Sequence, residues 1–186
     1  MNIFVLSLVA ETCARSHTDR HVVKMIVESA QLLCGVYTNT TPDLAVPYKL
    51  AKSHVNHPCS VWARKSFENY SWLLALATAL CAEYTHRYKK THKTQHVIEK
   101  LAEMPPPNIP SLGLTAFAMA MPVEYRCEDE VEAYMTYYRQ DKRHLFKWKE
   151  RDMPEFLKFP FLNDIKDRRN DEHTLETTAN RKRKHR

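Results

Sequence analysis

The sequence predicts an all-α protein: a compact helical bundle of three to five helices, with a short extended N-terminal segment and a disordered basic C-terminal tail. Three observations carry that expectation. Glycine occurs only twice in 186 residues, at Gly35 and Gly113, which removes the turn chemistry of hairpin-rich sheets and any glycine-rich phosphate loop. Apolar residues make up 44% of the chain, enough for a core. They also recur at helical rather than alternating spacing from about Thr18 onward. The expected organisation is one helical domain over 1–160 followed by a charged segment over 161–186.

Each element has its own reason. Met1–Ala10 is apolar, lacks a basic flank and is too short to span a bilayer, so it reads as a buried strand or extended segment with no membrane role. A helix is expected from about Thr18 to Tyr37, with Thr18 or Asp19 as N-cap. Its core side would carry Val22, Val23, Ile26, Ala30, Leu33 and Tyr37. Residues 38–56 are rich in Thr and Pro and read as loop. In Asn56-His57-Pro58, the proline suits the first turn of a long helix. That helix carries Trp62, Tyr70, Leu73, Leu74, Ala77, Leu80, Cys81, Tyr84 and Tyr88 and runs to about Lys90, with room for one break. A short helix from Thr94 to Met104 precedes the loop Pro105-Pro106-Pro107-Asn108-Ile109-Pro110. Residues 111–127 form an irregular linker that lends Phe117 and Met119 to the core. The last helix spans about Glu128 to Glu150, its acidic start and its Lys142, Arg143, Lys147 and Lys149 end both complementing the dipole. Beyond Leu162 the chain is charged and poor in apolar residues, the composition of disorder.

The formal net charge of +6, with ten further histidines, suits an anionic partner, most often nucleic acid. Part of the excess sits in Arg181–Arg186, which reads equally as a nucleic-acid arm, a nuclear import signal or a solvated tail. Five cysteines, scattered and never in a CxxC pair, indicate a reducing compartment: the cytoplasm, or the nucleus if the tail is an import signal.

Three constellations compete for chemistry. On the first long helix, His21, Lys24, Glu28 and Gln31 follow i, i+3, i+7, i+10 spacing and share one wall. That wall is either a salt-bridged solvent face or a reactive surface. His57, Trp62, Arg64, Lys65 and Glu68 begin the next helix and would approach it in an antiparallel pair, offering phosphate contacts and a stacking face. The second constellation is metal ligation by Glu83-x-x-His86 and Asp141-x-x-His144. The third is a cysteine nucleophile, Cys59, two residues after His57.

The order Asp19-Arg20-His21-Val22-Val23-Lys24-Met25-x-x-Glu28-x-x-Gln31-Leu32-Leu33, then Asn56-His57-Pro58…Trp62-x-Arg64…Asn69-Tyr70, then Cys81-x-Glu83-Tyr84-x-x-Arg87, is similar to phage and bacterial proteins. These are grouped with the small pyrimidine-dimer DNA glycosylases, and the resemblance covers roughly residues 1–90. It implies an all-helical monomer that binds damaged duplex DNA, flips a nucleotide and cleaves the N-glycosidic bond through an imine. No metal and no cofactor are implied. Carried over, the essential glutamate is Glu28, with Arg20 and Lys24 beside it on the DNA backbone. Arg64, Lys65 and Arg87 extend the basic face, and Trp62, Tyr70 or His57 would fill the gap left by the flipped base. The family's amine belongs to a small residue exposed by methionine removal, whereas Met1-Asn2 is a poor substrate for trimming. The nucleophile is therefore the α-amine of Met1, or Lys24, with His21 nearby, or the lyase chemistry is absent. Two other readings stay open: a non-catalytic nucleic-acid-binding protein and a metal-dependent helical enzyme.

Overall fold

A computed structural model describes residues 1–40, 46–48, 50–106 and 108–158. The expected basic tail lies outside the described residues. Among those described there are six α-helices and no strand: α1 (Ala10–Ser16), α2 (Asp19–Thr40), α3 (Pro58–Ala63), α4 (Phe67–Tyr88), α5 (Gln95–Glu103) and α6 (Glu130–Asp141). The all-α expectation holds, but three to five helices become six for two reasons. α1 is a seven-residue helix whose buried apolar positions are only Ala10, Cys13 and Ala14, too small a stripe to stand out in the sequence. The long helix expected from Pro58 is broken at 64–66, where Ser66 caps α4 by accepting from the Asn69 amide at 3.1 Å.

α2 and α4 form the central pair, and two contacts fix them antiparallel. At one end the Tyr37 and Tyr70 hydroxyls lie 3.0 Å apart. At the other, Arg87 donates to Asp19 at 3.0 Å. Between them Met25, Ile26, Ala30, Leu33, Leu73, Leu76, Ala77 and Leu80 belong to one apolar core. Each fully buried large aliphatic contributes about 1.5–3 kcal/mol. Val23, expected on the core side, is instead exposed, while Met25 and Leu32 are buried, because the buried arc is turned slightly about the α2 axis.

Residues 1–9 are neither helix nor strand, with bends at 6, 8 and 9, and Ile3, Phe4, Val5 and Leu6 are sealed in the core. Phe4 sits at φ 52°, a left-handed conformation that a bulky residue keeps only when its surroundings hold it. Its ring stacks on His21 at 4.5 Å and meets Tyr138 edge-on at 5.5 Å. The linker 111–127 is irregular apart from one turn at Val123–Tyr125; Phe117 and Met121 are buried and Met119 packs against the core.

Arg87 is the charged centre of the fold. It is fully buried and donates to Glu83 at 2.7 Å, to Asp19, and to the carbonyls of His17 and Arg15 at 2.9 and 3.0 Å. One guanidinium thus joins α1, α2 and α4. Burial pushes the Glu83 carboxyl up, but bonds from Arg151 and Arg87 outweigh it and leave the group below the ordinary carboxylate range.

α6 stops at Asp141, well short of the expected Glu150. After a turn at Arg143–Leu145, residues 147–151 cross the start of α2 as a strap. The Asp19 amide donates to the Lys147 carbonyl at 2.8 Å, the Lys149 amide to the Asp19 carboxylate at 2.9 Å, and the Trp148 indole to the Ser16 carbonyl at 3.2 Å. Continuing the helix would break all three, so tertiary bonds override the local pattern. Cys13, Cys34, Cys59 and Cys81 are buried free thiols and Cys127 is exposed. Among the described residues, no helix is long and apolar enough to cross a membrane.

Candidate active site

Glu28 lies in the third turn of α2, its side chain 12% exposed, and both of its oxygens are engaged by nitrogen. Lys24, one turn earlier and 67% exposed, brings its ammonium to 3.2 Å from Oε1. The main-chain nitrogen of Asn2 donates to Oε2 at 2.9 Å. The second contact exists because the apolar run Ile3–Leu6 is drawn into the core, which lays the start of the chain along α2.

Asn2 is held on every side. Its Oδ1 accepts from the Ile3 amide at 2.8 Å, and its Nδ2 donates to the Ala120 carbonyl at 2.8 Å. The Tyr134 hydroxyl lies 2.8 Å from Oδ1 and 2.6 Å from the Ala118 carbonyl, one proton shared between two acceptors. Burial pushes the Tyr134 phenol up, so it remains a donor. No sequence signal announces this clamp: Tyr134 sits in an ordinary helical pattern and joins Asn2 across 132 positions.

His57 is the N-cap of α3, its Nδ1 accepting from the Cys59 amide at 3.2 Å, with Pro58 at the first helical position. An accepting Nδ1 places the proton of the neutral ring on Nε2. Burial lowers the His57 pKa first, then the positive N-terminus and His54, while Glu28 acts the other way. The imidazole therefore feels both the N-terminal charge and the carboxylate. Cys59 lies 3.9 Å from Asn2 Oδ1, but burial pushes its thiol up to about 12, which leaves no thiolate for the nucleophile considered from sequence.

The fold thus gathers Glu28, Lys24, the Met1-Asn2 terminus and His57. Arg20, one turn before Lys24 on α2, and Lys65, after α3, are exposed. Arg64 is half-buried and donates to the Val55 carbonyl at 2.6 Å. Three expected site residues are corrected. His21 is buried between Phe4 and Tyr138, with Nδ1 2.6 Å from the Tyr138 hydroxyl, so it stands apart from the Lys24–Glu28 wall. Trp62 is a core residue: its ring stacks on Phe117 at 5.0 Å and its indole donates to the Thr115 carbonyl at 3.3 Å, leaving no face for a base. Arg87 is spent on the buried network and has no surface for a phosphate.

The metal alternative also loses its ligands. Both Glu83 oxygens are taken by arginines, and Asp141 is paired with Lys142 at 2.7 Å. Among the described residues no three His, Cys, Asp or Glu side chains come together as a metal site would need. There remains a shielded carboxylate between two nitrogens, an arrangement able to take and return protons at an amine and to stabilise an adjacent cation.

Searches among curated proteins and among solved structures return no match. A family profile does match: that of the pyrimidine dimer DNA glycosylases, over residues 1–96. The matched stretch contains Asn2, Lys24, Glu28 and His57 and ends before Ala120 and Tyr134.

Proposed function

The chain belongs to the pyrimidine dimer DNA glycosylase family, and on that premise we propose that it is a DNA glycosylase with AP-lyase activity on a damaged or modified pyrimidine in duplex DNA. The observation that carries the proposal is the carboxylate of Glu28 held between the Asn2 nitrogen at 2.9 Å and the Lys24 amine at 3.2 Å. In this reading an unprotonated amine attacks C1′ of the deoxyribose, and the glycosidic bond breaks with its electron pair leaving on the base. The C1′–O4′ ring bond then opens, O4′ takes a proton and the second amine proton is lost, which gives an imine. Removal of a C2′ proton expels the 3′ phosphate. Glu28 stabilises the sugar cation and carries the protons. His57, near both the carboxylate and the N-terminus, faces the incoming nucleotide. This route needs neither metal nor cofactor and works in a monomer.

The geometry favours the nitrogen of residue 2 as the nucleophile, which becomes a primary amine only once Met1 is removed. Asn2 is larger than the residue the family exposes at this position, so the amines of Lys24 and of Met1 itself remain competitors. Borohydride trapping on abasic and dimer-bearing duplexes decides among them. A covalent adduct is expected, and mass spectrometry of its peptides identifies the linked residue. Glu28→Gln should slow trapping by roughly 10²–10⁴-fold, the usual contribution of a positioned acid–base group. If wild-type protein gives no adduct, and any strand cleavage is unchanged in Glu28→Gln, the proposal fails.

A second reading has one observation in its favour: both Glu28 oxygens are satisfied, as they would be in a carboxylate that only ties the chain start to α2. The protein would then bind nucleic acid without catalysis, and Glu28→Gln would lower stability while leaving no adduct to lose.

A further inference from the structure

We propose that the strap over residues 147–151 and the adjoining first turns of α2 form the surface that grips the phosphate backbone of duplex DNA. This rests on the DNA-acting reading above, but on none of its catalytic residues except Lys24. The strap is built to display cations. Trp148 is turned inward onto the Ser16 carbonyl at 3.2 Å, and Arg151 is fixed to Glu83 by contacts of 3.0 and 2.9 Å. The alternate residues Lys147 and Lys149 are exposed, the Lys149 ammonium 5.7 Å from the centre of the Tyr88 ring, and their main chain is bonded to Asp19 at 2.8 and 2.9 Å. Two lysines are thereby held on a rigid frame rather than on a loose loop.

They have cationic neighbours. Arg20 and Lys24 are exposed on the first two turns of α2, and Lys142 ends α6 one turn after Tyr138, whose hydroxyl lies 2.6 Å from Nδ1 of His21. The acids nearby are mostly engaged. Asp19 and Glu83 are bound by Arg87, Glu28 by Lys24 and Asp141 by Lys142, while Glu150 is the exposed acid of the strap. The end of α2 is itself closed, because the Thr18 amide is taken by the Tyr138 hydroxyl and the Asp19 amide by Lys147. Any anion here is held by side chains. Cations at a helix N-terminus oppose its dipole, so they do nothing for the stability of α2.

The position relative to Glu28 suits a DNA track. From Asp19 to Glu28 the helix advances about 14 Å at about 1.5 Å per residue. That matches about four base-pair steps along the duplex axis at about 3.4 Å each. A backbone held at the strap therefore passes the carboxylate within a few nucleotides. The sequence pattern puts Lys147 and Lys149 at the end of a helix, and both lie beyond the matched residues 1–96.

The test is equilibrium binding of an undamaged duplex oligonucleotide across a salt series. It compares wild-type protein, Lys147→Ala/Lys149→Ala, and Lys93→Ala/Lys100→Ala, which removes the same charge from exposed positions near and on α5. The strap variant should lower the magnitude of the log–log salt slope by about 2, at about 0.9 per lost phosphate contact, with roughly tenfold weaker binding at low salt. The α5 variant should match wild type, and all three should share one melting curve. Equal slopes for the strap variant and wild type, or equal losses in both variants, overturn the proposal. Trapping at saturating DNA separates this outcome from the enzyme reading: the strap variant should keep the wild-type maximal rate at a raised half-saturation. Strap-dependent binding with no adduct from wild type would sink the enzyme and leave the strap. An adduct with a silent strap would do the reverse.

Discussion

His17 and His21 are neutral imidazoles sealed beside Phe4 and Tyr138. His17 has Nδ1 2.7 Å from the Cys13 carbonyl, and its buried Nε2 has no partner. Burial, aided by the charge of Arg87, lowers its pKa to about 4; burial, aided by His17 and Lys142, lowers that of His21 to about 3. Both folded values lie below the ordinary 6.5, so the unfolded chain binds more protons in this window. Their stabilisation is complete above about pH 6.5 and drains away as the pH falls through the folded values. Melting temperatures should drop steeply between pH 6.5 and 4, and His21→Gln should flatten that decline; a wild-type profile level over this range would refute the account. At the active site, Tyr134→Phe takes the hydroxyl away from Asn2 Oδ1 and leaves the side chain to the Ile3 amide, the Ala120 carbonyl and the distant Cys59 thiol. Imine trapping should slow about tenfold with duplex affinity unchanged, a split that kinetic and binding assays resolve. At this scale the sequence is legible where chemistry is local. Lys24 and Glu28 are one helical turn apart and their pairing follows from spacing alone. The Asn2–Tyr134 contact joins residues 132 positions apart in the sequence, and no local pattern encodes it.

Among the elements, α2 and α5 begin and end near the expected residues because their apolar periodicity runs the length of each helix. The break before α4 was readable only as room for a break; its cause is tertiary. Asn69, fully buried, donates to the Trp62 carbonyl and the Thr115 hydroxyl at 2.8 Å and accepts from the Thr115 amide at 2.9 Å. It thus stitches the end of α3 to the linker. Asn69→Ala should cost about 2–4 kcal/mol, from several buried groups each losing about 1–3 kcal/mol at most, measured by urea unfolding. Arg87→Met leaves Glu83 to Arg151 alone, Asp19 to the Lys149 amide alone and two carbonyls without their donor, and should cost about 3–5 kcal/mol. Converting Glu83 to Gln in the same chain should recover part of that loss, since the double variant removes a buried charge that has lost one of its two arginines. The early end of α6 belongs to the same class of finding. Lys142–Lys149 has good helical composition, and only the bonds to Asp19 and Ser16 turn it into a strap.

For the molecule as a whole, scarcity of glycine and helical periodicity were sufficient to give the all-α class. They could not show that the family-matched stretch depends on the second half of the chain. Residues 97–158 supply Val97, Ile98, Leu101, Phe117, Met121, Tyr134, Tyr138 and Leu157 to the same core. Losing one buried aromatic alone costs about 3–5 kcal/mol, against total stabilities of about 5–15 kcal/mol. A chain ending at residue 96 should therefore fail to fold, seen as collapsed amide dispersion in a proton–nitrogen NMR spectrum. Cooperative melting of that fragment would show that the second half is an accessory.

The three tryptophans occupy two different worlds. Trp62 and Trp72 are packed with Phe117 at 5.0 and 4.7 Å, whereas Trp148 is half-buried between the two strap lysines. Intrinsic fluorescence thus comes with a built-in reporter: a constant interior emission and one indole whose intensity and quencher access should change when an oligonucleotide settles beside it. Trp148→Phe would erase that signal, so docking could be followed in stopped flow without any attached dye.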